Sequence, residues 1–271
     1  VLEVGLGGRL DAVNIIDAMI ALITPIAIDH QSWLGDSRET IAFEKAGIIK
    51  PRSMVVYNDV DPSAVVLKQA ENQQATLYLL NQDYQMREAD GYASYQSKTM
   101  QLEGLNLPAL AGTHQLDNAA AAIQVFELLK PTLNPSEAAI SAALADIQLA
   151  GRFQQLASSP AIFIDVAHNE HAVQSLAANL RQHPCKGHTY AVLAMLEDKQ
   201  IETALREIDE SIDAYYLAGL EGSRALSSEQ LRQRVQVDVA SDKLSCHQQV
   251  ENARGAVLTA AKVGDAIMLL G

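Results

Sequence analysis

The sequence predicts an α/β protein of two domains built around parallel strands. Short apolar runs rich in β-branched residues alternate with helix-length amphipathic stretches, and a fresh strand–helix alternation begins near residue 161. At 271 residues and 48% hydrophobic content the chain is large enough for two cores. We place the domains at 1–150 and 151–271, because a helix ends near 147 and Gly151-Arg152-Phe153 separates it from the next strand.

Taken in order, strands are expected at residues 1–4, 19–28, 53–57 and 76–80, then at 161–164, 189–194, 214–218 and 266–270. The run 18–28 is the most apolar and reads as a buried strand. It is too short for a bilayer span, which takes roughly 20 residues. Helices are expected at 37–49, 62–72, 114–129 and 136–147, and at 170–182, 200–208, 228–234 and 248–262. The first of these opens on a D-x-x-E capping pattern, Asp36 to Glu39. The third contains Ala119–Ala122, strong helix formers. Residues 92–102 alternate polar and apolar and predict a solvent-facing hairpin.

Lys and Arg number 20 against 33 Asp and Glu, a net charge of −13, which argues against nucleic acid or an anionic membrane surface as partner. Cys185 and Cys246 have no paired spacing, so neither a disulfide framework nor a cysteine-rich zinc site is indicated, and a reducing cytoplasm fits best. Val1-Leu2 opens inside a strand-like run with no initiator Met, and an upstream portion is expected to be absent. No G-x-x-x-x-G-K-[ST] cradle, H-E-x-x-H motif or nucleophile elbow occurs.

Polar groups at the ends of apolar elements mark the candidate sites. Gly5-Leu-Gly-Gly-Arg-Leu10 follows the first expected strand but has Leu10 where a dinucleotide fingerprint needs Gly. Its glycines either let backbone approach a ligand or simply form a tight turn, with Glu3 aimed there from the strand. Asp29-His30 is placed at a strand's carboxyl end, where open α/β sheets bind ligands. Together Glu3 and His30 offer one oxygen and one nitrogen to a Mg²⁺ or Mn²⁺ shell, or else His30 is a structural residue. Lys45 falls in register with Ile41 and Ile48 on an apolar helix face. Burial there leaves its amine paired, neutral and able to add CO₂ as a carbamate, or snorkelling to solvent. Thr113 is a candidate N-cap, with His114 and Asn118 one turn apart behind it; Asn118 either grips a base or ribose or lies on the surface. Arg152 suits a phosphate or an interdomain salt bridge. Asp165, His168 and Asn169 follow the strand 161–164, where Asp165 suits ribose hydroxyls or an attacking amine and Asn169 alternatively caps the helix.

Glu3 to Asn14, Asp29-His30 with Trp33-Leu-Gly35, Ile41 to Lys50, Gly151-Arg-Phe153 and Asp165 to Asn169 together resemble the folylpolyglutamate synthase and dihydrofolate synthase family of the Mur ligase superfamily. The resemblance implies the remainder of a P-loop-type central domain followed by a Rossmann-like glutamate-ligase domain, with catalysis in the cleft between them. It implies ATP-dependent ligation of L-glutamate to dihydropteroate or folyl-polyglutamate through an acyl phosphate, with ATP and one or two Mg²⁺ ions. Glu3 and His30 match metal positions, and Lys45 and His168 match catalytic positions, Lys45 being the carbamylated lysine. Leu10, Asp11, Ala12 and Asn169 match substrate positions; Asn118, Arg152 and Asp165 match nucleotide positions. Gln115 departs from the Asn often found after that His. The family's phosphate loop precedes the matched region, so the chain alone is expected to be inactive, and the complete protein to be a cytoplasmic monomer. Two other readings are a peptidoglycan-precursor or poly-amino-acid ligase of the same superfamily, and a non-catalytic folate- or nucleotide-binding module.

Overall fold

The computed structural model describes every residue except Pro131, His168, Asn169, Asp198 and Gln200, and leaves out the side chains of Ser32, Glu170, His171 and residues 201–204. The chain forms two compact units. One comprises Val1–Ala109 and Thr113–Ile147, the other Gln148–Gly271 with Leu110–Gly112.

In the first unit the elements are β1 (Ile20–Ile23), α1 (Gln31–Leu34), α2 (Arg38–Ala46), β2 (Met54–Tyr57), α3 (Ala64–Asn72) and β3 (Thr76–Leu79). They are followed by β4 (Tyr84–Ala89), β5 (Tyr92–Ser97), β6 (Gln101–Leu105), α4 (His114–Leu128) and α5 (Glu137–Asp146). Strands β1, β2 and β3 pair in that order, all parallel. The two-residue period of β2 divides the core. Val55 and Tyr57 pack with Ile41, Ala42 and Ala46 of α2 and Val66 and Ala70 of α3, whereas Val56 joins the cluster made with α4. Burial pushes the Tyr57 phenol up to about 12.

Four sequence expectations are corrected here. Residues 1–4 form no strand and pair with no strand among the described residues. The long strand expected at 19–28 stops at Ile23, since Thr24-Pro25 follows and Pro25 has no N–H to donate. Helix α2 is capped by Ser37, whose side chain accepts from the Thr40 N–H in a capping box, not by Asp36. The expected solvent-facing hairpin is also wrong in its surroundings. Strands β4, β5 and β6 form an antiparallel sheet whose inner face buries Tyr84, Met86, Ala93, Tyr95, Leu102 and Leu105. Tyr95 tolerates burial because its hydroxyl lies 2.9 Å from both Gln124 Oε1 and Glu127 Oε2 and donates to one of them.

A buried carboxylate closes the carboxyl end of the parallel sheet. Asp59, 5% exposed, accepts from the Arg38 guanidinium at 3.0 Å, the Ile26 N–H at 3.1 Å, the Asp61 N–H at 3.1 Å and the Tyr57 hydroxyl at 3.3 Å. Arg38 also donates to the Ile26 carbonyl at 3.0 Å. The segment after β1, the start of α2 and the turn after β2 are therefore tied at one point.

The second unit runs β7 (Gln154–Ser158), β8 (Ala161–Asp165), α6 (Glu170–Gln182), β9 (Thr189–Leu193), α7 (Ile201–Ile208) and β10 (Ala214–Ala218). It ends with α8 (Ser228–Val235), β11 (Leu244–His247), α9 (Val250–Ala260) and β12 (Ala266–Leu270). The sheet order is β11-β10-β9-β12-β8-β7, parallel except for the antiparallel edge strand β7. Alternation again sorts the faces. Ala191, Leu193, Tyr215, Leu217, Met268 and Leu270 meet α6, α7 and α8, while Val192, Ala194, Ala218 and Ile267 meet Ala253 and Val257 of α9. Strands β4, β7 and β11 are too polar in sequence to stand out from loops.

Replacing Arg38 by Leu leaves Asp59 buried without its cation, and stability in urea denaturation followed by circular dichroism should fall by about 3 kcal/mol. A loss below about 1 kcal/mol would mean that the pair behaves as a surface ion pair and does not hold the unit.

Candidate functional site

In the first unit, the loop expected to carry ligand-facing groups is seated on the last turn of α2. The Arg9 N–H donates to the Glu44 carbonyl at 2.8 Å, and the Arg9 guanidinium pairs with the Glu44 carboxylate at 2.8 Å and lies over the Phe43 ring. Asn14 donates to the Arg9 carbonyl at 3.0 Å and the Gly47 carbonyl at 3.1 Å, and Lys50 donates to the Asn14 carbonyl at 2.9 Å. This approach requires glycine at two places. A Cβ on Gly47 would lie 2.6 Å from Arg9 Cα, and one on Gly8 would lie 2.9 Å from the Glu44 carbonyl oxygen.

Asp11 shapes the loop from within. Its carboxylate accepts from the Val13 N–H at 3.0 Å, the Gly5 N–H at 3.0 Å and the Leu6 N–H at 3.2 Å. The Val13 and Leu6 amides chiefly hold its carboxyl below the usual range. Leu10 is 79% exposed and Ala12 opens a 3₁₀ turn, so the free surface of the loop is apolar.

Lys45 occupies the last turn of α2 and is half-buried, and its amine has no hydrogen bond or ion pair to any described residue. Burial lowers its pKa, and the charge of Asp29 partly opposes this. Burial thus disfavours the charged form of this amine. Glu3 and His30 are both exposed. His30 lies seven residues beyond the end of β1, in the left-handed conformation at φ 51°, so it stands in the connecting loop and not at the strand's end as expected. Among the described residues no group of three or more His, Cys, Asp or Glu side chains could hold a metal by itself.

At the start of α4, Thr113 occupies the cap position without a side-chain capping bond. Asn118 is exposed, donates to Gln115 at 3.1 Å and accepts from the buried Asn58 at 3.3 Å; Gln115 in turn meets the His114 ring at 3.0 Å. The amide row Asn58–Asn118–Gln115 was not legible beforehand, because Asn58 comes from the end of β2, sixty residues away.

In the second unit, Asp165 ends β8 and is 8% exposed. Its two oxygens accept from the Phe153 and Ala167 N–H groups, each at 2.7 Å. Burial pushes its carboxyl up, and the two amides and the Arg152 charge oppose that shift. Gly151 at φ 71° and Phe153 at φ 43° are both left-handed, and Phe153 is buried with its ring stacked on Phe163 at 4.7 Å. Arg152 lies exposed between these two anchored neighbours. His168 and Asn169 lie outside the described residues.

Two Mur ligase families match the chain: the middle domain over residues 1–126 and the glutamate ligase domain over residues 151–271. The dihydrofolate synthase/folylpolyglutamate synthase of Escherichia coli strain K12 is 35% identical over 271 residues, covering 100% of this chain and 61% of that protein. The chain therefore spans about three-fifths of the length of that relative. Escherichia coli FolC in complex with DHPP and ADP superposes with a TM-score of 0.90 at 35% identity, covering 100% of this chain and 62% of the other. The bifunctional folylpolyglutamate synthase/dihydrofolate synthase of Yersinia pestis, complexed with AMPPNP and a Mn ion, gives 0.88 at 37% identity, with 100% and 62% covered. The chain belongs to the folylpolyglutamate synthase and dihydrofolate synthase family of the Mur ligase superfamily.

Lys45 gives a pH signature. An amine lowered in the folded state carries fewer protons than its unfolded counterpart between its depressed pKa and 10.5, so it makes stability rise with pH across that window. Stability measured in urea should accordingly rise less steeply with alkaline pH in Lys45→Met than in the parent, and the variant should be the more stable at neutral pH. Parallel pH profiles would show that the amine is hydrated in the folded state.

Proposed function

We propose that the complete protein is an ATP-dependent carboxylate–amine ligase that adds L-glutamate to dihydropteroate, folyl-polyglutamate or both, through an acyl phosphate. Residues 1–150 would supply part of the nucleotide-binding central domain and residues 151–271 the glutamate-ligase domain. The observation that carries this reading is the docking of the Gly5–Asn14 loop on the turn that holds Lys45. Arg9 bonds to Glu44, one residue from Lys45, so a substrate loop and a reactive lysine are held in one place. The names and bound nucleotides of the relatives support the same chemistry.

In this reading Leu10 and Ala12 offer apolar surface to the pterin, while Asp11 keeps the loop in shape through its three backbone bonds. Arg152, exposed between Gly151 and Phe153, suits bidentate contact with a phosphate group, and Asp165 fixes the loop that presents it. Asn118 offers an amide to the nucleotide once its bond to Gln115 is exchanged. His168 and Asn169 are assigned to the glutamate side by sequence alone.

Glu3 and His30 fit a hydrated cation, not an all-protein cage, since they provide one carboxylate and one imidazole and both are exposed. A divalent ion held there would neutralise charge on the phosphates. Lys45, when neutral, can add CO₂: its nitrogen bonds to the carbon and releases a proton, and a carbamate anion replaces the cation.

The test uses a chimera joining this chain to the part of the Escherichia coli relative that it does not match. With ATP, Mg²⁺, dihydropteroate and glutamate it should release ADP only when glutamate is present, and yield a product heavier by one glutamyl unit. Lys45→Gln should lower turnover by about 100-fold. A folded chimera that binds ADP without any turnover would replace the ligase reading with that of a binding module.

The carbamate has its own measurement. With ¹³C-bicarbonate a carbamate carbon resonance should appear in the parent and be missing from Lys45→Gln. Identical spectra for the two proteins would exclude the modification.

A further inference from the structure

A cleft of about 220 Å³ opens in the second unit. It lies at the amino ends of the parallel strands, since Thr189 begins β9 and Ala266 begins β12, whereas Asp165 stands at the opposite, carboxyl end of β8. Ligands of open α/β sheets are expected at the carboxyl ends, so this cleft is separate from the proposed reaction centre.

Its lining combines two kinds of group. Phe153, Phe163 and Leu180 provide an apolar wall, the two rings already stacked on each other. Arg181 and His183, both exposed, provide the polar rim. The Arg181 guanidinium has no ion-pair or hydrogen-bond partner among the described residues. The His183 ring is fixed: Nδ1 lies 2.9 Å from the Asn179 carbonyl, which can only accept, so Nδ1 carries the proton and Nε2 has no described partner. The same ring sits 5.3 Å from that of Phe153.

Phe153 connects the two ends of the unit. Its ring lines the cleft, its N–H holds Asp165, and its backbone is in the left-handed conformation next to Arg152. Such a conformation persists only where the surroundings hold it, so packing against the ring stabilises the loop itself.

We propose that this cleft is a second, non-catalytic ligand site that takes a small planar aromatic carboxylate, and that its occupancy is sensed at the Arg152–Phe153 loop. The ring of the ligand packs against the Phe153–Phe163 pair, and its carboxylate accepts two parallel bonds from Arg181. The cleft has room for a single-ring acid. The inference does not rest on the ligase reading, because it is read by binding alone.

The experiment titrates the ¹⁵N-labelled 271-residue chain with benzoate and follows backbone amides. Saturable shifts of the Phe153 and Ala167 amides, the two donors to Asp165, are expected with a Kd on the order of 1 mM. Arg181→Gln, a surface change that leaves the spectrum otherwise intact, should weaken binding at least about tenfold. Arg181→Lys should fall between the two, because an ammonium cannot make the parallel pair. Absence of saturation, unchanged affinity in Arg181→Gln, or the same shifts from inorganic phosphate at equal concentration would each overturn the proposal.

Discussion

The first unit depends on the ion pair between Arg38 and Asp59. A carboxylate that is 5% exposed is costly unless its lone pairs are filled, and here four donors from three chain segments fill them. The consequence is positional. Arg38 is the first residue of α2, so the pair sets where the helix starts relative to β1 and β2. Seven residues on, Lys45 inherits that placement, and the Gly5–Asn14 loop docks against the turn that Lys45 occupies.

The second unit uses the same device in another form. Asp165 is also buried at a strand's carboxyl end, yet it binds two backbone amides and, among the described residues, no guanidinium within ion-pairing distance. Charge-assisted bonds to backbone N–H groups stabilise an ionised carboxylate and also fix the chain conformation. The fixed conformation includes two left-handed residues flanking Arg152, one of them a phenylalanine. Strain at Phe153, next to the exposed Arg152, is the kind of local cost that folded surroundings support at binding sites.

The electrostatics divide into an overall field and local exceptions. A net charge of −13 repels polyanions at long range. Small anions respond to nearer groups, and both Arg152 and Arg181 stand exposed without a described acid within ion-pairing distance. Screening limits the general field to about 8–10 Å at physiological salt, so such cations act on a ligand in contact with them almost undiminished.

The residues alone determined the parallel α/β class, the period-2 core strands 53–57, 189–194, 214–218 and 266–270, and the helices between them, because each follows from local apolar spacing. The family resemblance was legible for a similar reason: its motifs are contiguous runs whose identity does not depend on packing. The tertiary structure decided what those runs do to one another. Residues 1–4 look like a strand but have no neighbour to pair with, and the alternating stretch at 92–102 looks solvent-facing but joins a third strand and buries one face. Asp59, Asn58 and Arg38 carried no signal, since a single polar residue after a strand is indistinguishable in sequence from any solvated turn. Their importance arises from burial and from partners 21 to 60 residues away, and only the folded chain brings those together.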